Sequence, residues 1–184
     1  MNIIVIGSGG REHAIIKKLA QSEAVDTIYA LPGNGGMTEA ECVDVGAKDI
    51  PAIVEFAKTH DIGFAVVAPD DPLVLGCVDA LEEIGIPCFG PSAAAAQIEG
   101  SKVFSKNLMK KYGIPTAAYE VFESADDARE YIKTCDLPIV IKADGLALGK
   151  GVLICMTREE AEDGLREIME DKVFGASGNR VVIE

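Results

Sequence analysis

Short apolar runs alternate with amphipathic segments over the first ninety residues of the chain. Four runs have the length and β-branched composition of buried strands, at residues 2–6, 27–31, 64–68 and 87–90. Three segments between them show helical spacing of apolar positions, at residues 11–21, 50–59 and 73–84. Strands that alternate with helices through short connections predict an α/β domain, with a parallel, Rossmann-like sheet covered by helices on both faces.

The pattern changes at Ser101, where strands and helices no longer alternate regularly. The predicted elements are helix 101–112, strand 116–122, helix 124–134, strand 138–142, strand 152–156, helix 157–170 and strand 181–184. A glycine-rich loop joins two adjacent strands, which favours an α+β unit with an antiparallel sheet. We therefore expect two domains, residues 1–100 and 101–184. The chain ends inside a strand-like run, which indicates a truncated piece of a longer protein.

The composition of the chain argues against several classes of partner and against a secreted, disulfide-bonded protein. Thirty acidic and seventeen basic residues give a net charge of −13, which argues against a nucleic-acid partner. Five cysteines form no CxxC pair and no zinc spacing, as expected for reduced thiols in the cytoplasm. No apolar run approaches the roughly 20 residues of a membrane span, so we expect no membrane partner.

The turn after the first strand holds three glycines within residues 7–10 and is followed by Arg11. Glycines let the backbone approach an anion, and the N-terminus of the next helix favours negative charge. The dinucleotide motif G-x-G-x-x-G is not present, because Glu12 occupies its last position and no acidic residue ends the second strand. This turn therefore favours a smaller phosphate ligand with Arg11 as its charged partner, or else a plain turn, over a nicotinamide cofactor.

Two further turns follow predicted strands at the same edge of the sheet. Residues 32–36, Pro-Gly-Asn-Gly-Gly, would be entropically costly as a plain loop, which favours a loop that orders around a substrate. Asp70 and Asp71 lie between two prolines after the third predicted strand. They either bind hydroxyl groups or an amine, or serve as turn residues.

Lysines and glycines are concentrated in residues 141–151. Lys142 ends an apolar strand, where an ammonium group is costly unless it reaches solvent or an anion. The following loop has three glycines and Lys150, but lacks the spacing and the Ser/Thr of a Walker A loop. A hairpin lid over nucleotide phosphates fits this pattern better, and a plain surface hairpin is the alternative. Lys102 begins a helix, where its charge opposes the helix dipole.

Together these segments resemble the phosphoribosylamine–glycine ligase family, the glycinamide ribonucleotide synthetases of the ATP-grasp superfamily. The resemblance covers the whole chain. The matching motifs are Gly-Ser-Gly-Gly-Arg-Glu-His at 7–13, Pro-Gly-Asn-Gly-Gly at 32–36, Gly-Pro at 90–91, Glu-Gly-Ser-Lys at 99–102, Ile-Pro-Thr-Ala at 114–117 and Lys-Ala-Asp-Gly-Leu-Ala-Leu-Gly-Lys-Gly-Val at 142–152.

This resemblance implies a pre-ATP-grasp domain followed by the first part of an ATP-grasp domain. It also implies ATP-dependent ligation of glycine to 5-phosphoribosylamine through a glycyl phosphate intermediate, in de novo purine synthesis. The implied cofactors are ATP and Mg²⁺ or Mn²⁺, with metal ligands beyond residue 184, so residues 1–184 alone are expected to be inactive. It assigns no catalytic residue, no metal ligand in this chain and no protein partner.

The family's binding residues can be carried over position by position. Those implied for phosphoribosylamine are Gly9, Gly10, Arg11, Glu12, Gly33, Asn34, Gly35 and Asp70. Those implied for ATP are Lys102, Lys142, Asp144, Gly145, Leu146, Gly149, Lys150, Gly151 and Glu184. One departure concerns Asp70, since residues 68–73 read Ala-Pro-Asp-Asp-Pro-Leu where the family has Gly-Pro-Glu before Pro-Leu.

Two other functions stay open at this point. Another ATP-grasp carboxylate–amine ligase or a carboxylase would share the architecture and differ in the glycine loops. A non-catalytic nucleotide-binding module would bind ATP without turnover.

Overall fold

Five parallel strands form the sheet of the first of two units in the chain. The structure, a computed structural model, describes residues 1–147 and 150–184 and divides them into Met1–Ala96 and Gln97–Glu184. The strands are β1 (Asn2–Gly7), β2 (Ile28–Pro32), β3 (Glu41–Cys42), β4 (Ile62–Val67) and β5 (Cys88–Phe89), in the order β3-β2-β1-β4-β5. The predicted parallel α/β sheet is therefore confirmed. The two-residue strand β3 was not predicted, because it has no apolar run.

The helices of this unit cover both faces of the sheet. They are α1 (Gly10–Leu19), α2 (Ile50–Thr59), α3 (Asp70–Val74) and α4 (Cys77–Glu83), followed by α5 (Ala93–Gly100), within which the chain divides. Alternating side chains of β1 fill two cores, because successive residues of a strand point to opposite faces. Ile4 and Ile6 belong to the core that contains Ile53 of α2, whereas Val5 packs in the core of Ile16 of α1.

The prediction of a single helix over residues 73–84 is wrong, because the structure has two helices there. Gly76 has a φ of +83°, a left-handed conformation that interrupts the helix and that glycine adopts without strain. The first of the two helices begins at Asp70, three residues before the predicted start. Asp70 and Asp71 lie in its first turn, where their charges favour the helix dipole.

An antiparallel four-stranded sheet forms the second unit, as predicted. Its strands are β6 (Glu120–Phe122), β7 (Ile139–Ala143), β8 (Val152–Cys155) and β9 (Val181–Ile183), in the order β6-β9-β7-β8. Its helices are α6 (Lys102–Tyr112), α7 (Ala125–Thr134) and α8 (Arg158–Leu165). The strand predicted at 116–122 is shorter than expected, since residues 116–119 pair with no strand.

Caps and small residues shape the helices of the second unit. The side chains of Ser124 and Thr157 accept hydrogen bonds from the first turns of α7 and α8, which confirms both predicted helix starts. The helix predicted to reach residue 170 is α-helical only to Leu165 and continues as a wider π-helical turn. Gly178 packs against the carbonyl oxygen of Ile168, where an added Cβ would not fit.

The two faces of β7 differ in character. Ile139, Ile141 and Ala143 are buried in one core with residues of α7 and α8. Lys142 alternates with these residues and so projects from the opposite face. No helix among the described residues is long and apolar enough to cross a membrane.

Candidate functional site

A buried carboxylate organises the turn between β1 and α1. The Glu12 side chain is only about 4% exposed, and its Oε2 accepts a hydrogen bond of 2.7 Å from the N–H of Gly9. Its Oε1 accepts a hydrogen bond of 3.0 Å from Nε of Arg11. Glu12 therefore points inward and holds both the backbone of the turn and the guanidinium of Arg11.

Gly7 allows the end of β1 to lie against Glu12. Its φ is +123°, and a Cβ there would lie 2.7 Å from Cγ of Glu12 and 2.8 Å from Cγ of Pro69. Both contacts are shorter than carbon atoms tolerate. The first N–H groups of α1 have no acceptor within the helix, so the turn presents donors at the carboxyl edge of the sheet.

The loop at residues 32–36 is joined to the β1–α1 turn. Asn34 donates from Nδ2 to the carbonyl oxygen of Ser8 over 2.7 Å, and its Oδ1 accepts from the N–H of Gly36 over 2.7 Å. The N–H of Gly33 donates to the carbonyl oxygen of Gly7 over 3.1 Å. The structure thus brings together two segments that the sequence analysis proposed separately, and Asn34 is the side chain that links them.

Glycine is required at one end of this second loop and not in its middle. Gly33 has a φ of +68°, and a Cβ there would lie 2.6 Å from Sγ of Cys42. A Cβ at Gly35 would meet no atom within 4 Å, so this residue faces open space. The backbone around Gly35 is therefore the accessible part of the loop.

Asp70 lies at the same edge of the sheet. It is the first residue of α3, directly after β4, and β4 pairs with β1. Nearby, a cleft of about 580 Å³ is lined by Arg11 together with mainly apolar side chains such as Ile15, Leu73 and Phe89. The guanidinium of Arg11 therefore belongs both to the turn between β1 and α1 and to the lining of this cleft.

The thiols of Cys77 and Cys88 are unsuited to nucleophilic chemistry. Burial, with a smaller contribution from Cys88, raises the pKa of Cys77 to about 12. Burial, followed by the charge of Glu82, raises the pKa of Cys88 to about 11. Both thiols are therefore protonated at neutral pH.

In the second unit, Asp144 joins the end of β7 to the start of α6. Its carboxylate accepts hydrogen bonds from Oγ of Ser101 at 3.0 Å and from the N–H of Val103 at 3.1 Å. Nη2 of Arg180 lies 2.5 Å from its Oδ2. A carboxylate at a helix N-terminus compensates for the unfavourable placement of Lys102 there. Asp144 is buried, so it fixes α6 against the loop rather than facing solvent.

Lys102 reaches back over the glycine-rich segment. Its Nζ donates to the carbonyl oxygen of Gly145 over 2.9 Å. Burial lowers the pKa of Lys102, and the charge of Lys142 acts in the same direction, although the charge of Asp144 opposes them. An ammonium group in such surroundings gains from a nearby anion such as a phosphate.

Glu184 lies between two lysines. Its Oε2 accepts a hydrogen bond of 2.6 Å from Nζ of Lys142, and its Oε1 is 2.5 Å from Nζ of Lys106. Burial alone would raise the pKa of Glu184, but the hydrogen bonds and charges of the two lysines outweigh it and hold that pKa below its usual value. Glu184 is therefore ionised at neutral pH.

The segment between β7 and β8 is described except for residues 148 and 149, so Gly149 lies outside the described residues. Oγ of Ser177 donates to the carbonyl oxygen of Leu146 over 3.1 Å, and Gly145 has a φ of +102°. The N–H of Lys150 donates to the carbonyl oxygen of Ala147 over 2.9 Å. A Cβ at Gly151 would lie 2.7 Å from that of Ala147, so glycine permits this close return.

Comparison with known proteins identifies both units. The N domain model of phosphoribosylglycinamide synthetase matches residues 1–99, and the ATP-grasp (A) domain model of the same enzyme matches residues 100–184. The chain belongs to the phosphoribosylglycinamide synthetase family. The expected family and fold class are thereby confirmed.

Members of the synthetase family resemble the chain along its whole length. The phosphoribosylamine–glycine ligase of Haemophilus influenzae is 49% identical over 187 residues, an alignment that covers 100% of this chain and 44% of the relative. The crystal structure of the Thermotoga maritima ligase has 34% identity and a TM-score of 0.79, and the match covers 100% of this chain and 43% of that one. The chain thus spans less than half the length of these synthetase relatives.

The synthetase fold is shared with a more distant enzyme. The biotin carboxylase domain of Hydrogenobacter thermophilus 2-oxoglutarate carboxylase has 18% identity and a TM-score of 0.79, over 99% of this chain and 43% of that one. At this identity the likeness concerns the fold alone.

Several polar residues beside the predicted ATP residues were not themselves predicted to belong to the site. Ser101, Lys106, Thr116 and Arg180 contact the predicted ATP residues or their partners. One signal was available, because Lys106 lies four residues after Lys102 and so on the same face of α6. The contacts of Arg180 join segments 36 residues apart, which no local pattern reveals.

Proposed function

We propose that this chain supplies the phosphoribosylamine-binding turns and part of the ATP site of a phosphoribosylamine–glycine ligase. The activity is ATP-dependent formation of glycinamide ribonucleotide, ADP and phosphate from 5-phosphoribosylamine and glycine, in cytoplasmic purine biosynthesis. The observation that carries this proposal is the match of both units to the two domain models of one enzyme. The two glycine-rich turns of the first unit, and Lys102 and Lys142 in the second unit, support it.

For phosphoribosylamine, we assign binding to the joined turns of the first unit. Main-chain N–H groups around Gly10 and Gly35, together with the guanidinium of Arg11, would hold the phosphate. Gly9, Glu12, Gly33 and Asn34 belong to the same site, but their contacts within the chain indicate that they position it. Asp70 would accept a hydrogen bond from a ribose hydroxyl or the amine.

For ATP, we assign the phosphates to Lys102 and Lys142. Each ammonium group has an acceptor within the chain that a phosphate can replace, the carbonyl oxygen of Gly145 for Lys102 and the carboxylate of Glu184 for Lys142. Asp144 positions α6, and Glu184 lies where the adenine is proposed to bind. The loop residues Gly145, Leu146, Gly149, Lys150 and Gly151 are proposed to close over the phosphates.

The proposed chemistry proceeds in two transfers. The carboxylate of glycine attacks the γ-phosphorus of ATP and releases ADP, giving glycyl phosphate. The amine of phosphoribosylamine then attacks the acyl carbon, forms the amide and releases phosphate and a proton. Such reactions depend mainly on positioning and on neutralising phosphate charge, which is the role of Lys102 and Lys142 here.

A divalent cation, Mg²⁺ or Mn²⁺, is proposed to accompany ATP and to neutralise its phosphates further. The carboxylase domain that shares the fold was crystallised with MgADP. Within residues 1–147 and 150–184, no three His, Cys, Asp or Glu side chains form a group that could hold a metal. We therefore assign no metal ligand to these residues.

Substrate dependence tests the proposal in the protein encoded by the complete gene. We expect ADP formation that requires both glycine and phosphoribosylamine, together with equimolar glycinamide ribonucleotide. ADP formation that requires bicarbonate instead would replace the proposal with a carboxylase. ATP binding without turnover on any of these substrates would replace it with a nucleotide-binding module.

A further inference from the structure

Lys106 is almost buried and is held by three groups. Its side chain is 12% exposed, and its Nζ lies 2.5 Å from Oε1 of Glu184. The same nitrogen donates to Oγ1 of Thr116 over 2.5 Å and lies 5.5 Å from the ring centroid of Tyr119. A lysine is rarely buried to this extent unless its charge is paired. Several residues of the second unit therefore hold the ammonium group of Lys106 next to Glu184.

Charge explains why Glu184 has two lysine partners. With Lys142 alone, the carboxylate would form a neutral pair, and separating two charges in surroundings this buried is unfavourable. With Lys106 on its other oxygen, the carboxylate keeps a counter-ion when Lys142 moves away. The cluster also keeps one net positive charge, which favours the approach of an anion.

We propose that Lys106 is a positioning residue that holds Glu184 and thereby allows Lys142 to exchange this carboxylate for an ATP phosphate. The inference rests on the proposed function, in which Lys142 binds phosphate. The low pKa of Glu184 agrees with it, because two ammonium groups stabilise the ionised form against burial. Lys106 itself contacts neither ATP nor the reacting atoms.

The test uses Lys106→Gln in the protein encoded by the complete gene. We expect the KM for ATP, and the Kd for a non-hydrolysable ATP analogue measured by calorimetry, to rise about tenfold, the loss expected for one charge-assisted contact. The KM values for glycine and phosphoribosylamine should change less than about twofold. Lys106→Arg, which keeps the charge, should recover most of the ATP affinity.

Lys111→Gln is the matched control, because Lys111 is exposed on the same helix and lies beside the ring of Tyr112. It should leave all these constants unchanged. An unchanged Kd for the ATP analogue in Lys106→Gln would overturn the inference, as would equal losses for ATP and glycine. Equal losses would indicate a merely structural role.

A second variant and a binding measurement ensure that every result either supports or refutes the inference about Lys106. If Lys106→Gln does not fold, Thr116→Val at an exposed position removes a partner of Lys106 and should raise the same Kd about two- to fivefold. An unchanged Kd in that variant would then overturn the inference. Calorimetry needs no turnover, so a wild-type protein without ligase activity would refute the proposed function while the ratio of Kd values still decides the role of Lys106.

Discussion

The two units present positive charge in different ways. In the first unit, the candidate site consists of main-chain N–H groups shaped by Gly7 and Gly33, with one guanidinium from Arg11. In the second unit, it consists of lysine side chains held by acceptors within the chain: Lys102 donates to the carbonyl oxygen of Gly145, and Lys142 donates to the carboxylate of Glu184. The first site therefore depends on backbone shape, and the second depends on charge.

This difference separates the effects of mutations. An added Cβ should damage the first site, because its donors are fixed by the path of the chain. Removal of a single charge should damage the second site, because a buried carboxylate or ammonium group then loses its partner. The following predictions test this contrast, beginning with the largest expected effect.

The shape of the first site is tested most strongly by Gly7→Ala. We expect the free energy of unfolding of the first unit to fall by about 2–4 kcal/mol, because the positive φ is strained with a Cβ and the new atom meets Glu12 and Pro69. Urea unfolding followed by circular dichroism measures this loss. Gly46→Ala is the control, since a Cβ there meets no atom within 4 Å. Equal losses in the two variants would contradict a site fixed by backbone shape.

The charge of the second site is tested by Lys142→Ala. We expect kcat/KM for ATP to fall about 10- to 100-fold, the loss expected for a charge-assisted bond to phosphate, with little change in the KM for glycine. Steady-state kinetics with each substrate varied in turn measures this split. Lys133→Ala removes a lysine that is exposed on α7, and should behave like the wild type. Comparable losses for ATP and glycine would argue against a phosphate role.

Glu12→Gln tests whether the inward carboxylate of the first unit positions its turn. The amide cannot keep both the N–H of Gly9 and the guanidinium of Arg11, since one of its two ends is a donor. We expect the KM for phosphoribosylamine to rise about tenfold and the KM for ATP to stay unchanged. Glu23→Gln, at an exposed position, serves as the control. A rise in the KM for ATP alone would show that the two sites had been assigned to the wrong units.

A smaller effect is expected from pH. The folded-state pKa of Glu184 is lowered, so its contribution to stability is present above the unfolded pKa of about 4.3 and is lost as the pH falls through the folded-state value. The difference in unfolding free energy between wild type and Glu184→Gln should therefore shrink as the pH is lowered from about 6 towards 3. Urea unfolding at several pH values measures it. A difference that is independent of pH would mean that the two lysines do not stabilise the ionised carboxylate.

The sequence was sufficient to predict structural features that depend only on residues close together in the chain. The strand run of β1, the caps at Ser124 and Thr157, and an apolar strand with Lys142 near its end all follow from local patterns, and the structure contains them, although the strand ends one residue later, at Ala143. The break at Gly76 was missed, because the apolar spacing continues across it and a single glycine does not always end a helix.

Contacts between distant segments could not be predicted. Asp144 meets Ser101 across 43 residues, and Asn34 meets Ser8 across 26. The direction of a side chain was also inaccessible, since no sequence pattern indicates that the Glu12 carboxylate points into its own turn. Such features depend on tertiary packing, which a periodic pattern does not encode.

The central claim is that two phosphorylated ligands bind on two different units, and hydrogen–deuterium exchange of the protein encoded by the complete gene tests it directly. The product glycinamide ribonucleotide should slow exchange in residues 7–12 and 32–36, and a non-hydrolysable ATP analogue should slow exchange in residues 101–106 and 142–147. Protection of the same unit by both ligands, or of neither pair of segments, would contradict the account.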